Sequence, residues 1–259
     1  MSHNIIIGVL ASARLGGGGG GGTPTDAGAS WILDATFLTD ELALESDLVT
    51  LTHQGATADY RFPVPTEKQA GPDVDILYWE VVCNVASAST DSYQGVADGA
   101  NPPVGDNPIS NGSMGRRGNG TIWEDNGQQV TSLQTFGALN DVLMMAFQPS
   151  TGSLWTGVNG TWDNDPDVDA ANHVMAFSPL PLLWKPVVHT RNVGESFTLV
   201  STATNFAHTV PASATALADY VATFYDVFPD RQSLYVVTAE RPINQMSVDL
   251  QRLYVVTED

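Results

Sequence analysis

The chain is poor in cysteine and in positive charge, and it contains no long uninterrupted apolar run. A single cysteine, Cys83, rules out an intramolecular disulfide framework and a cysteine-based metal site. It lies within the apolar stretch "LYWEVVCNV", where nothing nearby would activate a thiol, so it reads as an inert core residue. Ten Lys and Arg stand against 29 Asp and Glu, giving a formal charge of −19. A polyphosphate needs an excess of basic side chains along its contact, so a nucleic-acid partner is excluded, and an anionic membrane surface is disfavoured. The like charge reads as a device for solubility.

Membrane and export signals are missing too. The segment "NIIIGVLASARL" (4–15) is far shorter than the roughly 20 residues that span a bilayer. It has no charged leader, and Arg14 falls where a signal peptidase site would lie, so synthesis in the cytoplasm without a targeting segment is expected. Catalytic constellations are equally scarce. The five histidines (His3, His53, His173, His189 and His208) are widely spaced, and no Gly-x-Ser-x-Gly frame occurs. The strand-like "YWEVVC" carries one acid, Glu80, between apolar neighbours, where a sandwich glycosidase would place a carboxylate pair. The expectation is a protein that is not an enzyme and has no cofactor.

What the chain does contain is β pattern. Seven glycines, Gly16 to Gly22, form a flexible tether that sets residues 1–15 apart as a docking arm. That arm must bury Ile5, Ile6 and Ile7 against something else. From Trp31 onward, short apolar runs alternate with Gly, Pro, Asn and Asp at the spacing of β-sandwiches and barrels. One stretch, Ser213 to Phe228, has helical periodicity and predicts a helix that introduces a separate tail. In that tail "QSLYVVTAE" (232–240) recurs as "QRLYVVTED" (251–259), which predicts a pair of strands. The expected division is a docking arm (1–15), a tether (16–30), a sandwich (31–211) and an assembly tail (212–259).

The hairpin "NDVLMMAFQ…GSLWTGVNG" (140–160) resembles the hairpin of SPRY domains, in which a strand, a turn and a second strand end in Asn-Gly. Four further stretches match the same family in order: "LYWEVVCNV", "YQGVADG", "MGRRGNGTIWEDNG" and "WKPVV". Together they cover about residues 78–206. Met144-Met145 and the acidic loop "DNDPDVDAANH" (163–173) depart from the family pattern. The resemblance implies an all-β, two-sheet antiparallel SPRY-like β-sandwich that works as a binding module. Asn159-Gly160 is expected to turn the chain with positive φ. Trp79 and Trp155 are expected to be buried, because alternate positions on such strands face the core.

Several functional readings follow. The docking arm, the tether and the doubled "LYVVT" resemble in style the tail-tip, fibre or head-decoration proteins of tailed bacteriophages. The leading expectation is therefore a structural virion protein. Its chain ends would bind other virion proteins through Ile5, Ile6, Ile7, Leu234, Tyr235, Val236, Leu253, Tyr254 and Val255. It would form a homo-oligomer, a trimer by analogy with fibres and spikes, and its sandwich would meet a host-surface glycan or protein. The alternative is a free SPRY-type module that recognises a peptide, and a carbohydrate-active sandwich enzyme ranks last. Loop anchors for a ligand are Trp162, Arg116 and Arg117, since Trp and Arg dominate binding hot spots. The alternating Asp163, Asp165, Asp167 and Asp169 echo a Ca2+ loop. The glycine and terminal glutamate of an EF-hand are absent, however, so the stretch reads as a solvated acidic loop.

Overall fold

The computed structural model describes residues 31–55, 63–71, 76–86, 92–100, 113–124, 127–168, 171, 173–176, 183–220, 224–227 and 234–237. The docking arm with Ile5, Ile6 and Ile7, the glycine tether, and the second repeat block with Leu253, Tyr254 and Val255 lie outside the described residues. The strands in chain order begin with β1 (Leu42–Leu44), β2 (Thr50–His53), β3 (Pro63–Pro65), β4 (Ile76–Val85), β5 (Tyr93–Asp98) and β6 (Ser113–Arg117). Next come β7 (Ile122–Glu124), β8 (Gly127–Val130), β9 (Val142–Gln148), β10 (Ser153–Val158), β11 (Thr161–Trp162) and β12 (Met175–Ala176). The last are β13 (Trp184–His189), β14 (Ser196–Val200), β15 (Ala214–Ala216), β16 (Phe224–Val227) and β17 (Leu234–Val237).

Strands β1 to β15 form two sheets packed face to face, antiparallel except where β15 runs parallel to β4, and β16 and β17 pair as a separate two-stranded sheet; the fold is the all-β sandwich that the sequence predicts. The larger sheet runs β1-β2-β14-β4-β9-β10-β11, with β12 also on β10; the smaller runs β3-β13-β5-β6-β7-β8. Alternation along the strands sends Trp79, Val81, Met145, Phe147, Leu154 and Phe197 of the larger sheet into the core. There they meet Val96, Met114, Ile122, Trp184 and Val188 of the smaller sheet. The rings of Phe147 and Trp184 touch edge to face across the interface, 4.7 Å between centroids. Asn159 (φ 50°) and Gly160 (φ 83°) make the expected turn between β10 and β11.

The outer face of the larger sheet differs from a solvated one. In β4 every residue from Ile76 to Glu80 is buried. Tyr78, Met144, Ala146 and Trp155 form a second apolar cluster there, closed by Phe206, Val210 and Ala214. Trp79 and Trp155 are both buried as expected, but they face opposite sides of the sheet. What covers Trp155 is the chain after β14. It leaves through a 3-10 turn (Ala203–Asn205), crosses the outer face as a strap, and returns as β15.

Here the structure corrects two expectations. The described residues between Ser213 and Phe228 form no α-helix. Ala214–Ala216 is a strand parallel to Ile76–Tyr78 of β4, Leu217–Asp219 is a single 3-10 turn, and Phe224–Val227 is strand again. Nor does the sandwich end at residue 211. Leu217 is fully buried in the main core, and the Tyr220 ring lies 6.2 Å from that of Trp31, so the two ends of the sandwich meet. The apolar spacing that resembles a helix arises because Leu217 and Tyr220 both dip into that core around the 3-10 turn. In the tail, Leu234, Tyr235 and Val236 do lie in a strand, which pairs with Phe224–Val227.

Candidate functional site

A cleft of about 330 Å³ opens on the outer face where the strap passes the loop that follows β11. Trp162, Asp165, Asp167 and Gly160 form one wall, His208 to Pro211 the other, and Met144 the floor. Each wall is held by buried polar contacts.

On the strap side the anchor is Glu80, which is fully buried. One carboxylate oxygen accepts from the Tyr78 hydroxyl (2.7 Å) and the His208 amide (2.9 Å). The other accepts from the Ala207 amide at 2.7 Å. Burial and the neighbouring carboxylate push the Tyr78 phenol far above its ordinary range, so it stays a donor. Three donors thus satisfy a carboxylate that would otherwise be costly to bury.

The loop side is bolted from behind. Arg116 lies on β6 with its side chain pointing inward, fully buried, and it pairs with Asp163. It also donates to Thr156 of β10 (2.6 Å) and to the Gln134 carbonyl. Asp163 accepts in addition from the Thr156 hydroxyl (2.9 Å) and the Gln134 amide (3.2 Å). Burial pulls the Arg116 guanidinium below its ordinary value while Asp163 pushes it back up. This cluster ties the two sheets together just before the acidic loop begins.

The two walls are then joined. Asp167 accepts from the amides of Ala212 (2.7 Å) and Ser213 (2.8 Å) at the end of the strap. Burial lifts its carboxyl, but those amides outweigh it and hold Asp167 below its ordinary value. Asp165 caps the same turn by accepting from the Asp167 amide at 2.9 Å. Trp162 is half-buried, 6.1 Å from Tyr78 and tilted 61° against it. Gly160 has φ of 83°, and a Cβ there would lie 3.1 Å from His208 Nδ1, so both its backbone and its neighbour favour glycine.

The same architecture appears in solved structures. The SPRY domain of human HERC1 superposes with a TM-score of 0.50 at 16% identity, covering 65% of this chain and 96% of that one. The fold is a SPRY-like β-sandwich. The TRIM65 PSpry domain gives a TM-score of 0.47 at 16% identity, over 66% of this chain and 92% of that one. No protein-family model and no curated protein matches the sequence.

Within this SPRY-like sandwich the expected anchors separate. Trp162 lines the cleft. Arg116 is interior and is not available to a surface ligand, whereas Arg117, the next residue on β6, points to the outer face of the smaller sheet. There its guanidinium lies 4.0 Å from the ring centroid of Trp123. The acidic loop is not evenly solvated either: Asp163 is committed to Arg116 and Asp167 to the strap. Asp169 lies outside the described residues. Among the described residues no three His, Cys, Asp or Glu side chains converge to hold a metal ion. The sequence reading missed the strap, although it carried a signal: a lone Glu80 in an apolar strand needs donors from elsewhere.

Proposed function

We propose that the protein is a non-enzymatic binding module that holds a segment of a partner protein in the cleft between the acidic loop and the strap. The observation behind this reading is that both walls are fixed before any ligand arrives, by Glu80, Arg116-Asp163 and Asp167. A preformed cleft spares a ligand the cost of ordering it. Trp162 offers an aromatic wall, and Asp165 sets an acidic edge beside it. The fold supports a free interaction module more directly than the particle role, for which the chain ends speak. Selection from a displayed random-peptide library tests the proposal. The parent protein should enrich a family of peptides that the Trp162→Ala variant, shown to be folded by a cooperative melt, does not retain. No enrichment, or equal retention by the variant, would remove the cleft as the site.

A second reading keeps the sandwich as the display unit of a tailed-phage particle. It draws on the doubled "LYVVT", whose first copy forms β17. Deleting residues 232–259 tests it: the sandwich should keep its melting temperature while the protein is lost from purified particles. Incorporation of the truncated protein at the normal level would count against it.

A further inference from the structure

Away from the strap, the outer face of the larger sheet changes character. Thr50 and Thr52 of β2, Ser196 and Thr198 of β14, and Asn84 of β4 stand side by side there and line a second cleft of about 450 Å³. Glu45 and Val85 form its edges. Thr50 and Ser196 are almost fully buried in its floor. These side chains form one continuous hydrogen-bonded array spanning three strands.

The direction of the protons in that array decides what it can recognise. Thr50 donates to Asp47 at 2.6 Å, so in its 2.8 Å contact with Thr198 it must accept. The Asn84 amide donates to Thr198 (2.7 Å) and towards Ser196 (3.3 Å). Thr52 shares its single hydroxyl proton between Glu45 (3.2 Å) and Ser196 (3.0 Å), so Ser196 accepts from Asn84 and Thr52 and its own hydroxyl is the one donor left over. Asp47 accepts in turn from the Thr50 hydroxyl and from the amides of Val49 and Thr50. The protons therefore run from Asn84 through Thr198 and Thr50 to Asp47, with Thr52 leaning on Glu45 at the edge. What remains facing the cleft is chiefly acceptor capacity: hydroxyl lone pairs, the Asn84 carbonyl and the Glu45 carboxylate.

We infer that this hydroxyl-lined cleft is a second binding site, which takes the ammonium group of a lysine side chain from a basic partner segment. A neutral saccharide both gives and accepts hydrogen bonds, and an acceptor-rich surface would leave its own acceptors unmatched. An ammonium has three donors and no acceptor, and its charge complements Glu45 and the overall excess of acid. Guanidinium is a planar fork suited to a single carboxylate, whereas these acceptors are spread over three strands and approach a point charge from several sides. The inference does not depend on the cleft beside Trp162.

Acetylated tetralysine amide is the probe, titrated into the full chain at about 150 mM salt, where the Debye length is about 8 Å and diffuse attraction is largely screened. Backbone amide NMR reports the site. Saturable shifts are expected at Thr50, Thr52, Asn84, Ser196 and Thr198. Glu45→Gln, at an exposed position, should weaken binding roughly tenfold, as for one lost charge-assisted hydrogen bond. Thr52→Val should weaken it as well, while Trp162→Ala should not. Shifts centred on Asp165 and Trp162, equal binding by all variants, equal binding of tetra-arginine, or preference for maltotetraose would each overturn the proposal. Because Trp162→Ala is the control, failure here is distinct from failure of the cleft beside Trp162.

Discussion

Glu80 brings a carboxylate into an apolar face where its partners are a phenol and two amides, none of them a cation. Its role is to convert strap backbone into fixed structure: the Ala207 and His208 amides would otherwise be orphaned over an apolar surface. Glu80→Gln keeps the shape but replaces one acceptor oxygen by a donor, opposing an amide that donates. A loss of about 2 kcal/mol is expected, in the range for hydrogen bonds to a charged group. Hydrogen exchange should localise that loss to Ala207 and His208. Unchanged exchange at those two amides would mean that the strap is held by packing alone. Arg116 and Asp163 act differently. Their pairing is a buried ion pair, which costs a great deal when half of it is removed and specifies geometry more than it adds stability.

At the scale of elements, the strap couples the two walls of the cleft, and Asp167 makes that coupling depend on pH. Its folded-state pKa is depressed. The stabilisation is therefore present above the ordinary value of 3.8 and is lost as pH falls through the lower folded value. The melting temperature of the parent should exceed that of Asp167→Asn at neutral pH, and the gap should close below roughly pH 4. A gap that persists or widens in acid would show that Asp167 does not hold the strap through its charge. The return strand makes a second test. Since Leu217 is buried in the core and Tyr220 packs on Trp31, a fragment covering 31–220 should melt cooperatively, whereas one covering 31–211 should melt lower or fail to fold. Equal melting would place residues 212–220 outside the folding unit. The sequence misled here for a physical reason. Apolar residues three or four apart satisfy a helical stripe, but they satisfy equally a short strand and a 3-10 turn that each send one side chain into a core. Only the partner strand, Ile76–Tyr78, distinguishes the two, and it lies far away in the chain.

At the scale of the whole molecule, the sandwich was legible because its signals are local. The ordered run of strand motifs, the Asn159-Gly160 turn and the alternating core residues all survive in the structure. Trp162 stood out in the sequence because it is an aromatic beside a polar loop, and in the structure it both packs on Tyr78 and lines the cleft. The burial of Arg116 was not, since whether two adjacent arginines face in or out depends on the register of β6 against its neighbours. The cleft itself was not legible, because it arises from a strap meeting a loop some 40 residues earlier in the chain. The central claim is that this preformed cleft receives the partner. It is tested most directly by mapping, through backbone amide NMR, where a library-selected peptide perturbs the protein. The account predicts shifts at Gly160 to Asp167 and at His208 to Val210, with the smaller sheet unchanged. Shifts confined to residues 99–112, with none around Trp162, would contradict it.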